Sequence, residues 1–208
     1  MKSNESKLFK VAEGQQGYFT TKQAVACGYV DQNHRHHVAI GDWLREHRGI
    51  YRLTRFPTSS DEQYVLWSLW SRNRQEIPQG VFSHQTALSI HELSDVMPAR
   101  LHLTVPPGFR RNSALPKVLK LHRAVLPGSD IEQRQGFRVV RPLRAIVDLL
   151  HDGTESPDRL QQALREALSR GLVARTELDP VLKKRMLARR CAGGGDHPES
   201  RIVRRRAQ

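Results

Sequence analysis

Hydrophobic and polar positions shift from a helical period to strand-like alternation within the first fifty-odd residues. Leu8, Val11 and Ala12 share one face of a 3.6-residue period, which predicts a helix over residues 3–14. Thr20 or Thr21 is suited to cap a second helix running to about Ala26, and Gly28 permits a tight turn after it. Asp31 suits the start of a further helix, and Gly41 is its natural stop. Trp43-Leu44-Arg45 and Gly49-Ile50-Tyr51-Arg52-Leu53 then read as two short strands. Two short helices joined by a glycine turn, with a small basic hairpin behind them, predict a winged helix-turn-helix over residues 1–56.

Phe56-Pro57-Thr58-Ser59-Ser60 has the composition of a linker. Beyond it, Ser60 with Gln63 resembles a capping box for a helix carrying Tyr64, Trp67 and Trp70, a stripe expected to be core. Ser83 is placed to cap a helix through about Leu93. Strand-like runs occupy 100–105, 118–122 and 137–140, the first two alternating apolar and polar residues. Pro142 opens a helix ending near Leu150. Ser156-Pro157-Asp158 opens another whose Leu160, Ala163, Leu164, Ala167 and Leu168 keep the helical period until Gly171. Thr176 to Asp179 has a capping pattern for a last helix through about Ala188. The expected architecture is α+β: a winged helix-turn-helix, then over residues 57–190 a mixed domain with a small sheet flanked by helices, and a disordered basic tail over 191–208.

Charge adds the first functional constraint. The 208 residues carry a formal net charge of +13, which favours polyanionic partners, nucleic acid before acidic membrane. The 2 cysteines, Cys27 and Cys191, are far apart and form no paired motif, consistent with a reducing compartment. No apolar signal region opens the chain, and no apolar run approaches the ~18 residues that a membrane span needs. A cytoplasmic protein without a membrane partner is expected.

In a helix-turn-helix the second helix enters the major groove while neighbouring elements hold phosphates. Val30, His34, His37 and Val38 have the spacing to pack that helix inward. Gln32, Asn33, Arg35 and His36 then point outward; the amides suit adenine edges and the guanidinium suits guanine. Thr20, Thr21 and Lys22 begin the preceding helix, a position suited to a phosphate. Arg45 and Arg48 fall on the hairpin, within reach of backbone or minor groove. Small winged domains also serve as protein-interaction modules, and the basic hairpin with the polar second helix favours DNA.

Gly17-Tyr18-Phe19-Thr20-Thr21-Lys22-Gln23-Ala24, Gly28, Gly41, Trp43-Leu44-Arg45 and Arg48-Gly49-Ile50-Tyr51-Arg52-Leu53 together resemble the N-terminal domain of AbiE-type (type IV) antitoxins. Ser83-His84-Gln85-Thr86-Ala87-Leu88, Leu101-His102-Leu103-Thr104-Val105-Pro106 and Pro142-Leu143-Arg144-Ala145-Ile146-Val147-Asp148-Leu149 are similar to the longer members. The resemblance implies a DNA-binding antitoxin that represses its own promoter. It also implies a nucleotidyltransferase-like toxin as functional partner, counteracted without a stable complex. The alternative is a winged-helix regulator whose second domain senses a ligand or dimerises.

Catalysis and cofactors are not expected. Gly128-Ser129-Asp130-Ile131-Glu132 lacks the spaced carboxylates of a nucleotidyltransferase and reads as a surface turn. The three strand segments carry no Asp or Glu with which to build a metal-dependent nuclease, and no nucleophile elbow is visible. His34, His36, His37, His84 and His91 show no ligand spacing, so no metal site is expected from the sequence.

Overall fold

The computed structural model describes residues 3–94 and 98–178. Helix α1 (Asn4–Glu13) is capped by Ser3, whose hydroxyl accepts from the Ser6 amide, and it buries Leu8 and Ala12. Strand β1 (Tyr18–Thr20) leads directly into α2 (Thr21–Ala26). After the Gly28 turn, a single 3-10 turn at Asp31–Asn33 runs into α3 (His34–Ala39), and β2 (Trp43–His47) with β3 (Ile50–Leu53) forms the hairpin. The three strands make one antiparallel sheet in the order β1-β3-β2. Strand β1 was not anticipated, because three residues buried without alternation leave no period to read.

The second unit opens with α4 (Glu62–Trp70). Its five strands are β4 (Val81–Phe82), β5 (Leu101–Val105), β6 (Leu119–Arg123), β7 (Ile131–Gln133) and β8 (Arg138–Val140). They form a mixed sheet in the order β6-β5-β4-β8-β7, parallel for β5/β6 and β4/β8 and antiparallel for β4/β5 and β7/β8. Helices α5 (His84–Ile90), α6 (Pro142–Asp152) and α7 (Pro157–Ser169) pack in series, with α5 against β5 and β8. Gly153, left-handed at φ 62°, ends α6. Residues 175–178 are helical, and the rest of the helix expected to Ala188 lies outside the described residues, as does the basic tail. No helix among the described residues is long and apolar enough to cross a membrane.

The two sheets share α4. Phe19 and Tyr51 of β1 and β3 face a small core with Leu8, Ala12, Ala24, Cys27 and Trp43. Tyr18 and Ile50, one residue away on the same strands, belong to the large core with Tyr64, Val65, Leu69 and Trp70 of α4. Tyr64 also packs edge-on to Phe82 at 5.1 Å, so α4 is apolar on more than one side and sits between sheets. At Gly136 (φ +85°) an added Cβ would lie 2.9 Å from Val65, so only glycine lets this loop close over α4. Buried Arg52 completes the junction through one nitrogen, Nη2, which donates to Phe56 O, Pro57 O and Glu62 Oε1 at 2.9, 3.0 and 2.7 Å.

Three local expectations are corrected. The Ser60–Gln63 capping box does not form; the amide of Ser59 instead donates to Glu62 Oε1 at 2.9 Å, because Glu62 is already drawn to Arg52. Ser83 makes no capping hydrogen bond to α5, its hydroxyl being engaged by Thr104. The loop expected at 128–132 becomes strand at Ile131, where β8 supplies a partner.

Candidate nucleic-acid interface

The position of α3 is set by aromatic packing from behind. Trp43, 3% exposed, stacks on His37 with ring centroids 4.6 Å apart and 21° between planes. His34, 1% exposed, lies against Trp43 at 5.2 Å and Tyr51 at 5.7 Å, while Tyr29 closes edge-on over His37 at 5.2 Å. Burial pushes the His34 imidazole below its ordinary range, against the opposing pull of Asp31, so the ring is neutral at pH 7. The Asp31 carboxylate comes within 3.2 Å of His34 Nδ1 but off the line of a hydrogen bond. His34 and His37 therefore hold the helix from behind, and Val38 packs beside them. Val30, expected to pack inward, is 56% exposed, because the 3-10 turn rotates it out of the α3 period.

With that face locked, Gln32, Asn33, Arg35, His36 and Ala39 are all exposed. Arg45 follows Trp43 by two residues on β2 and pairs across the sheet with Tyr51, placing it on the sheet face that carries α3. A register shift between Arg45 and His47 then breaks the alternation, and exposed Arg48 stands at the hairpin turn. Arg45 of the wing thus lies on the side of the small sheet that carries α3 and its 3-10 turn.

The start of α2 differs from expectation. Thr20 is 1% exposed; its hydroxyl accepts from the Gln23 amide and donates to Glu76 Oε2 at 2.6 Å, and Gln23 returns the bond in a complete capping box. The same Glu76 pairs with Arg72 at 3.0 Å and Lys22 at 3.5 Å. Lys22 also donates to Arg74 O at 2.9 Å, and the Thr21 amide donates to Gly49 O at 3.2 Å. A carboxylate of this chain occupies the place proposed for a phosphate, so Thr20 is unavailable and half-buried Thr21 has spent its amide. Exposed Lys22 is the one of the three still open to solvent.

The second unit also brings cations to the wing. Arg72 Nη2 donates to Gly49 O at 3.2 Å, and Arg111 Nη1 donates to Arg72 O at 3.2 Å while its guanidinium lies 5.3 Å over the Trp70 ring. Burial lowers the His47 imidazole, and Arg111, Arg72 and Arg45 around it lower it further. These arginines were visible as charge in Arg72, Arg74 and the Arg110-Arg111 pair, yet nothing local tied them to a hairpin some twenty to sixty positions earlier.

A three-helix unit with a basic two-stranded wing, its third helix and the 3-10 turn before it displaying Gln32, Asn33 and Arg35 outward, is a winged helix-turn-helix. Residues 6–54 match the family model described as a transcriptional regulator, AbiEi antitoxin, a match that spans this unit and stops short of α4. In fold the chain is similar to the RV2827C protein from Mycobacterium tuberculosis, known from a crystal structure, with a TM-score of 0.49 and 15% identity over 79% of this chain and 72% of that one.

Proposed function

We propose that this chain is a DNA-binding antitoxin of a type IV toxin–antitoxin module, binding the promoter of its own operon and repressing it. In this reading Gln32, Asn33, Arg35 and His36 meet base edges in the major groove, and Lys22, Arg45 and Arg48 meet phosphates. The second unit counteracts a nucleotidyltransferase-like toxin without forming a stable complex. The observation that carries the DNA reading is the exposed polar face of α3 beside Arg45, fixed from behind by the His34, His37 and Trp43 packing.

The full chain is titrated onto a duplex from upstream of its own gene and onto a scrambled duplex, in parallel with growth rescue on co-expression with the neighbouring gene product. Promoter binding at least about a thousandfold tighter than to the scrambled duplex, with rescue, is the expected result. Equal affinity for both duplexes would remove the repressor role. Specific binding without rescue would favour a regulator whose second unit senses a ligand or dimerises.

A further inference from the structure

Three histidines remote in sequence converge outside the winged unit. His84 begins α5, His102 lies on β5 and His122 on β6, and they present ligand atoms within 4.8 Å of one another. His84 and His102 are buried and His122 half-buried. The His84 and His122 rings stack at 3.6 Å, and His122 Nε2 lies 3.2 Å from His102 Nδ1. Asp152, the last residue of α6, brings its carboxylate oxygen to 3.4 Å from His84 Nε2 and 3.9 Å from His122 Nδ1.

We propose that His84, His102 and His122, with Asp152 as fourth ligand, bind a divalent transition metal of the zinc type, pinning β5 and β6 to α5 and α6. Three imidazoles and one carboxylate are a borderline-soft donor set that suits zinc. Metal–nitrogen bonds of about 2.0–2.1 Å place tetrahedral ligands roughly 3.3 Å apart, so rotation of the side chains from their present spacing closes the shell.

The surroundings orient these ligands. His84 Nδ1 lies 2.9 Å from Ser83 Oγ, which in turn accepts from Thr104 Oγ1 at 2.7 Å. In the tautomer that donates Nδ1–H to Ser83, the His84 Nε2 lone pair faces the Asp152 oxygen, an arrangement that a cation between them relieves. His84 also holds a left-handed backbone (φ 54°), sparsely populated for a residue with a Cβ. Thr104 and His122 are register partners on adjacent parallel strands, as are His102 and Lys120, so one face of this strand pair is polar beneath the helices. Spacing along the chain did not link these residues, because each comes from a different element and only the packing of α5 and α6 on the β5/β6 pair brings them together.

Chelator-treated full-length protein is titrated with zinc against a chromophoric competitor, and with cobalt(II) followed in the visible. One ion per chain, a four-coordinate cobalt spectrum and a melting temperature raised by about 5–10 °C at a hundredfold excess over Kd are expected. His102→Ala and His122→Asn should weaken zinc by more than the about 10–100-fold that loss of a supporting residue costs, and Asp152→Asn should alter the cobalt bands. His151→Ala, exposed and adjacent to Asp152, should bind as the unmodified chain does. Because His122 is half-buried on an edge strand, the metal-free melting temperature of His122→Asn checks folding. A six-coordinate cobalt spectrum, zinc affinity unchanged by His122→Asn, or an ion lost instead with His36→Ala or His37→Ala would overturn the site.

Discussion

Arg35→Ala and Arg45→Ala should damage DNA binding in different ways, and the difference tests the assignment of base and phosphate contacts. Arg35 is exposed and makes no hydrogen bond or ion pair among the described residues, so its loss should change folding stability by no more than about 0.5 kcal/mol. Its whole effect then falls on the complex. A guanidinium bidentate to guanine contributes about 1–3 kcal/mol of discrimination, which is a loss of about 5–150-fold on the specific duplex. On a scrambled duplex only one charge is lost, and the effect should be several-fold smaller. Arg45, on the wing beside α3, should weaken both duplexes alike and reduce the slope of log K against log salt by about 0.9 for the phosphate released. Fluorescence anisotropy at four or more salt concentrations, on both duplexes, separates the two. Equal losses on both duplexes for Arg35→Ala, or an unchanged salt slope for Arg45→Ala, would refute the proposed docking of α3 and the wing.

Trp43→Ala removes the ring that contacts Phe19, Tyr29, His34, His37 and Tyr51, and should cost about 3–5 kcal/mol in urea denaturation, with DNA binding lost at temperatures where the chain stays folded. Glu62→Ala leaves the buried Arg52 guanidinium with backbone carbonyls alone and should cost about 3 kcal/mol by the same assay. His34 and His91 both have imidazoles depressed mainly by burial. The unfolded chain therefore binds more protons below the ordinary value of 6.5, so stability is full above that pH and falls as pH drops through it. In chelator, the urea midpoint should be lower at about pH 5.5 than at about pH 7.5; an equal or higher midpoint would contradict the neutral buried rings.

The winged unit was largely legible because its signals are local. Thr20, Gly28 and Gly41 mark helix ends within a few residues of the elements they bound, and Trp43 and Ile50 stand in the hairpin itself. Strands β5, β6 and β8 were legible for the same reason, while β4 and β7, two and three residues long, are too short to show a period and are fixed by pairing with β5 and β8. Long-range neighbours were not legible. Thr20 was offered to a phosphate because nothing near it in sequence predicts Glu76 at its hydroxyl. Ligand spacing does not join the three converging histidines, although His102 and His122 stand at the polar positions of two alternating strands.

The contacts around Glu76 bear on how a regulator of this shape can be controlled. Its carboxylate engages Thr20, Lys22 and Arg72, and Arg72 reaches on to Gly49 at the wing. The start of α2 and the turn of the wing are thus held by one short segment of the second unit, residues 72–76. Tyr18 and Ile50 add apolar contact to α4 from the same sheet. The recognition surface is therefore oriented by the second unit as well as by its own small core, and a displacement of residues 72–76 would move α2 and the wing together. Glu76, left-handed at φ 64°, holds a backbone conformation that L residues seldom adopt, and its three partners offset that cost. Drawing Glu76 away would loosen the wing and release the Thr20 hydroxyl and Lys22 from their carboxylate in the same step. Under the proposed DNA reading, a displacement of residues 72–76 would therefore change affinity for a duplex through the wing and Lys22 together.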